Sequence, residues 1–295
     1  MTTPTFNKHP CDLCGTWDAE EIECSRHYTG GTPIHVCSEC GFVYIQNRRN
    51  AQSIADSWSN EIYGETYTAH IPAVRARQIY TAGTINAELD LKDKNLCDIG
   101  SGEGQFLILA RNQYGANVFA VEPSKANCDL LTQENIPNLL GTAETYRDHI
   151  SYKPDSFDIV TIMWTLENCE DCRRLMDIAF ELTKPGGHVA ISTGSRLLVP
   201  FKKPLYYYLG DTPPNYPYDT HAFRFSANTL HRLLAVTGYT HTYTNRYIDS
   251  DYLCMIGQKK GQVDIEKLPK DNSQEVLDFF QRWHLETENY YPKNN

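Results

Sequence analysis

At 295 residues, 41% of them hydrophobic, the chain has the material for one large domain and a small one. Its formal net charge of −10 argues against a broad nucleic-acid interface, because such binding is driven by Lys and Arg displacing counterions. There is no apolar run of about 18 residues to span a membrane, and the start Met1-Thr2-Thr3-Pro4-Thr5 lacks a signal peptide's apolar region. A cytoplasmic location is therefore expected, and the ten cysteines read as metal ligands or core residues rather than disulfides.

The first element is a pair of matched hooks, Cys11-Asp12-Leu13-Cys14-Gly15 and Cys37-Ser38-Glu39-Cys40-Gly41. Four thiolates in two Cys-x-x-Cys hooks complete a tetrahedron around zinc, and the glycine after each hook relaxes the turn through which backbone N–H groups reach the sulfurs. With Cys11, Cys14, Cys37 and Cys40 filling every position, no site is left for water, so the metal is expected to be structural. Cys24, His27 and His35 lie between the hooks and read as bystanders. Phe42 to Ile45 continue as a strand. Residues 51 to 90 read as helical, with Ile54, Trp58 and Ile62 spaced by four, and Val74, Ile79 and Ile85 after Pro72.

Next comes Lys94-Asn95-Leu96-Cys97-Asp98-Ile99-Gly100-Ser101-Gly102-Glu103-Gly104, a short buried strand turning through glycines into a helix at Phe106 to Ala110. The spacing is Gly-x-Gly-x-Gly, and Gln105 stands where a dinucleotide fingerprint needs its third glycine, which disfavours a nicotinamide cofactor. A second strand, Val118 to Val121, ends in Glu122, about 20 residues past the glycines, where an acid can hold two ribose hydroxyls.

This stretch resembles motif I of the class I S-adenosylmethionine (SAM) dependent methyltransferases, with Glu122 in the place of their ribose-binding acid. The resemblance implies an α/β fold: a Rossmann-like, mostly parallel seven-stranded sheet with helices on both faces, here preceded by a small zinc-ribbon-like domain. Asp98, an acid at the turn, suits the cationic amino group of SAM. By the same resemblance Gly100, Ser101, Gly102, Gly104 and Pro123 belong to the cofactor site. Tyr67 and Tyr63, in Tyr63-Gly64-Glu65-Thr66-Tyr67, are expected to close over the methionine end, and Arg75 to reach its carboxylate.

A helix from Ser124 to Gln133 and a strand near Asn138 to Leu140 follow, then Thr142-Ala143-Glu144, resembling the family's adenine-contacting turn. Ser156 to Ile162 looks like the fourth strand. It ends at Met163, Trp164 and Thr165, which are placed to line the site because ligands of such sheets bind beyond the strands' carboxyl ends. Asn168 replaces a common histidine. Cys169 and Cys172 form a third Cys-x-x-Cys pair with no partner pair and read as helix-start and packing residues. Leu182 to Ser192 matches the family's helix, Pro-Gly-Gly turn and fifth strand.

Residues 196 to 222 carry Lys202, Lys203, Tyr206 and Tyr207, which with Arg224 are the expected acceptor contacts: lysines can meet phosphate, and tyrosines can stack on a base or sugar face. Then His221 to Ser226 lead into a helix, with Ser226 as N-cap and Gly238 as its stop. Sugar C-methyltransferases that share a cysteine-rich zinc domain use a Glu-His pair in this segment; here His221 matches and Thr220 replaces the glutamate. His221 is the candidate general base. Strands are expected at Thr240 to Arg246 and Tyr252 to Gln258, and a tail whose Val276, Phe279, Phe280 and Trp283 share one helical face.

The expected division is 1–48 zinc domain, 49–90 helical lid, 91–260 SAM-binding domain with the insertion 196–222, and 261–295 helical tail. The expected function is methyl transfer from SAM to a small molecule, a sugar or nucleotide-linked sugar, on oxygen in preference to carbon. Two alternatives stand beside it. An RNA methyltransferase gripping nucleic acid with its zinc module is opposed by Asp12, Asp18, Glu20, Glu21, Glu23 and Glu39 around the hooks. A non-catalytic zinc- and SAM-binding interaction module is opposed by the intact ligand motifs. The oligomeric state is left open.

Overall fold

A computed structural model describes residues 5–58, 72–194, 221–246, 252–261 and 263–290. The first part holds β1 (Phe6–Lys8), β2 (Ala19–Glu21), α1 (Ser25–Tyr28), β3 (His35–Cys37), β4 (Val43–Tyr44), β5 (Asn47–Arg49) and α2 (Ala51–Ser57). Asn50 caps α2, its side chain accepting from Ser53 N at 2.8 Å. Next come α3 (Pro72–Leu89), β6 (Asn95–Ile99), α4 (Gln105–Tyr114), β7 (Asn117–Glu122), α5 (Lys125–Gln133), β8 (Asn138–Leu140) and α6 (Ala143–Arg147). The chain continues through β9 (Phe157–Met163), α7 (Cys172–Leu182), β10 (Thr183–Thr193), β11 (Phe223–Arg224), α8 (Ala227–Val236), β12 (Tyr239–Thr244), β13 (Leu253–Lys259) and α9 (Ser273–Tyr290).

Seven strands form the central sheet in the order β12-β13-β10-β9-β6-β7-β8. The pairs among β10, β9, β6, β7 and β8 are parallel, whereas β13 joins β10, and β12 joins β13, antiparallel. The sheet is apolar on both sides. Ile85 of α3, Phe106 and Leu107 of α4 and Leu131 of α5 pack with Leu96 and Ala120 on one face. Tyr146 of α6, Leu175 and Met176 of α7 and Leu230 and Leu233 of α8 pack with Val160 and Ile191 on the other. This is the expected Rossmann-like arrangement. Its crevice opens at the carboxyl end of β6, the strand from which the chain departs to β7 on one side and returns to β9 on the other.

The cysteine-bearing segment is joined to this body in several places. Its sheet, ordered β11-β4-β3-β2, takes β11 from beyond residue 220, with Phe223 opposite Tyr44 and Arg224 opposite Val43. Phe42 stacks on Phe223 at 5.8 Å and lies 5.3 Å from Phe225, so the module shares the core of the large domain. The helix α9 covers its other side: Val276 and Phe280 are buried against Ile22, Tyr28, Ile34 and Val36, with Leu277 and Trp283 half-buried beside them, and Tyr28 Oη lies 2.8 Å from His284 Nδ1. The expected apolar face of this helix is real except for Phe279, which is 40% exposed. No helix among the described residues is long and apolar enough to cross a membrane.

Candidate active site and cysteine cluster

The four hook sulfurs of Cys11, Cys14, Cys37 and Cys40 all lie within 4.8 Å of one another. Cys11 and Cys40 are 3.6 Å apart, and Cys14 and Cys37 3.5 Å. A tetrahedron with Zn–S bonds of about 2.3 Å has edges of about 3.8 Å, so the spacing suits such an ion. Gly15 and Gly41 adopt φ of 78° and 70°, the left-handed turns that let Gly15 N donate to Cys11 O and Gly41 N to Cys37 O. Cys24 is outside the cluster, its Sγ directed at Phe280 O. Beneath the hooks, Arg48 donates to both carboxylate oxygens of Asp12, at 3.1 and 2.9 Å, with both side chains almost wholly buried.

At the end of β6, Gly100, Gly102 and Gly104 have φ of 73°, 55° and 76°. Gly100 is required sterically as well: a Cβ there would stand 2.4 Å from Thr165 Oγ1, which donates to Gly100 O at 3.0 Å. Glu122, buried at the end of β7, accepts from Gly102 N (2.8 Å), Ser124 N (2.9 Å) and Asn127 Nδ2 (3.2 Å). Burial pushes its carboxyl above the usual range in spite of these donors. Asp98 accepts from Thr161 Oγ1 at 2.7 Å through Oδ1, while its buried Oδ2 has no hydrogen-bond partner among the described residues. Burial raises this carboxyl to about 8.

These groups line one cavity of about 320 Å³. Asp98, Gly100, Ser101, Gly102, Glu122 and Pro123 lie along its floor, with Thr142, Ala143 and Glu144 at one side and Met163, Trp164 and Thr165 at another. Trp164 holds φ of 54°, uncommon for a bulky residue, with its N–H donating to Ser192 O at 2.7 Å. The Arg77 guanidinium sits 3.9 Å from the Trp164 ring centroid. The roof comes from α2, through Ala51, Ile54 and Ala55 with Trp58 just beyond it, and from Val74, Arg77 and Gln78 of α3.

Three expected residues are placed away from the cavity lining. Gly104 does not line the cavity; a Cβ there would meet Leu131 Cδ2 at 2.4 Å, so its role is to bring α4 close to α5. Arg224 is wholly buried in β11 with Nη1 donating to His221 O at 3.0 Å, and it is not among the residues lining the cavity. Among the described residues the arginine lining the cavity is Arg77, and Arg75 does not line it. His221 is half-buried just before β11 and is not among the cavity's lining residues. Cys172 packs in the core at the start of α7, as expected, whereas Cys169 borders the cavity. Tyr63, Tyr67, Lys202, Lys203, Tyr206 and Tyr207 lie outside the described residues. Sequence reasoning missed Arg77, Gln78 and Glu170, which all line the cavity; the cap residue Asn50 was the available sign that a helix begins where the roof does.

A family model described as "Methyltransferase domain" matches residues 67–244, more than half of the chain. The chain belongs to this family. Curated relatives of the methyltransferase include the ubiquinone biosynthesis O-methyltransferase of Serratia proteamaculans, 34% identical over 110 residues that cover 35% of this chain and 44% of that protein. The corresponding protein of Pseudomonas aeruginosa is 32% identical over 117 residues, 38% of this chain and 49% of that one. The match thus spans less than half the length of either relative. Among solved structures, a SAM-dependent methyltransferase of Thermotoga maritima, described as a possible histamine N-methyltransferase, aligns with a TM-score of 0.52 at 18% identity, covering 70% of this chain and all of that one. The 1,6-didemethyltoxoflavin-N1-methyltransferase of Burkholderia thailandensis aligns with a TM-score of 0.52 at 14% identity, covering 75% of this chain and 96% of that one. At these identities the likeness is one of fold.

Proposed function

We propose that the protein is a cytoplasmic SAM-dependent methyltransferase acting on a hydroxyl of a small molecule, a sugar or nucleotide-linked sugar, and that its four hook cysteines hold a structural zinc ion. The observation that carries the reading is the meeting of Asp98, Glu122 and the glycine turn on one cavity. A buried carboxyl with an open oxygen suits a cationic amino group, and an acid held by Gly102 N, Ser124 N and Asn127 is fixed in orientation for a pair of ribose hydroxyls. When bound, SAM supplies an electrophilic methyl group on a sulfonium with a neutral leaving group.

The protein's part is to align the acceptor and exclude water. Trp164, with Arg77 stacked on it, offers a flat polarised wall beside the glycine turn. A hydroxyl acceptor must lose a proton, and a histidine suits that near neutral pH. No histidine lines the cavity among the described residues; His221, which follows the residues carrying Lys202, Lys203, Tyr206 and Tyr207, is our candidate base. The choice of oxygen is supported by the curated relatives named for O-methylation.

The test is methyl transfer from labelled SAM by the zinc-loaded protein to nucleotide-linked sugars, to quinone precursors and to total RNA. Label in the sugar pool is expected, with His221→Ala lowering turnover at least about tenfold at nearly unchanged SAM affinity. Label in RNA alone would overturn the small-molecule reading.

A further inference from the structure

Glu170, between β9 and α7, borders the cavity itself and binds two parts of the molecule that the sequence separates widely. Its Oε1 accepts from Asn7 Nδ2 at 2.6 Å and lies 3.2 Å from His9 Nε2, both in the segment leading into the first hook. Its Oε2 accepts from Ala51 N at 2.7 Å, the first residue of α2, which with Ile54 and Ala55 forms part of the cavity roof. Its backbone carbonyl accepts from Arg48 Nη1 at 2.6 Å, and Arg48 in turn grips Asp12, inside the first cysteine hook. An unbroken set of hydrogen bonds therefore runs from the hook through Asp12, Arg48 and Glu170 to the start of the roof helix. The cysteines that would hold metal are not themselves part of the cavity lining.

We propose that Glu170 is a positioning residue that couples the metal-held fold of the cysteine module to the roof of the cofactor cavity, so that stripping the metal weakens SAM binding. This rests on the zinc and SAM assignments made above. The physical basis is that α2 has only seven residues. A helix this short has little stability of its own and keeps its place through its contacts. Hydrogen bonds to a carboxylate are among the stronger ones available to it.

The coupling is tested by hydrogen exchange of the amides of residues 51–58 and by SAM affinity, in the wild type and in Glu170→Ala and Glu170→Gln, each with and without a zinc chelator. Glu170→Ala is expected to keep its zinc, to speed exchange in 51–58 and to weaken SAM binding about tenfold, the loss appropriate to one charge-assisted hydrogen bond. Glu170→Gln, which retains an oxygen for Ala51 N, should recover most of both. Chelation should speed exchange in the wild type but add little in Glu170→Ala, because both break the same connection. Unchanged exchange in Glu170→Ala, or chelator and mutation effects that simply add, would overturn the proposal. Should Glu170→Ala not fold, the chelated wild type decides: faster exchange in 51–58 together with weaker SAM binding is expected, and unchanged exchange would overturn the proposal. A wild type that bound no SAM would refute the cofactor assignment instead, and the exchange data judge the coupling without it.

Discussion

Asp98 and Glu122 are both buried carboxyls at strand ends, yet their surroundings differ. Glu122 has three donors within hydrogen-bond distance, whereas Asp98 has one hydroxyl on one oxygen. In the unliganded protein Asp98 therefore keeps its proton up to about 8, while in the unfolded chain it ionises near 4. Between these values the folded state holds a proton that the unfolded state has released, so stability falls as pH rises across the window. Asp98→Asn should flatten that slope in denaturation midpoints measured from pH 5 to 8; parallel profiles for the two proteins would contradict the assignment. Both acids were legible in the sequence because a glycine turn and a strand end are local patterns. Arg77 and Glu170 were not, since what gives each its place is a partner far along the chain: Arg77 meets Trp164, and Glu170 meets Asn7 and Ala51.

At the level of elements, the caps were the most readable signals. Ser124 accepts from Asn127 N, and Ser226 forms a reciprocal capping box with Thr229, each at the start of its expected helix. The stop of α7 was read less well: the helix ends at Leu182 and Thr183 already pairs with Phe157, ahead of the Pro-Gly-Gly that was expected to end it. The two-residue strand β11 carries no periodic signal, and only tertiary packing shows that it completes the cysteine module's sheet. The apolar face of α9 was visible, but its target was not. Because Phe280 is wholly buried between that helix and the module, Phe280→Ala should cost about 3–5 kcal/mol in chemical denaturation, and a loss below about 1 kcal/mol would show the helix to be dispensable.

For the molecule as a whole, the cysteine module and the large domain share one core cluster, in which Cys11, Cys37 and Cys40 sit with residues of α7 and α8. Calorimetry should therefore record a single transition rather than one for each part. If the hooks hold the proposed zinc, removing it should shift that transition downward by about 6 °C, for roughly 4 kcal/mol of lost binding. Two separate transitions would mean that the parts melt independently. The same sharing orders events during synthesis. The edge of β4 finds its partner only when Phe223 has been made, about 180 residues after Tyr44, which takes roughly ten to forty seconds of translation. The nascent cysteine-bearing segment thus leaves the ribosome with an open strand edge and an uncovered apolar face, to be closed by β11 and α9, which are made later. Metal captured early would hold the hooks together through this interval, when an unpaired edge is most exposed to neighbouring chains.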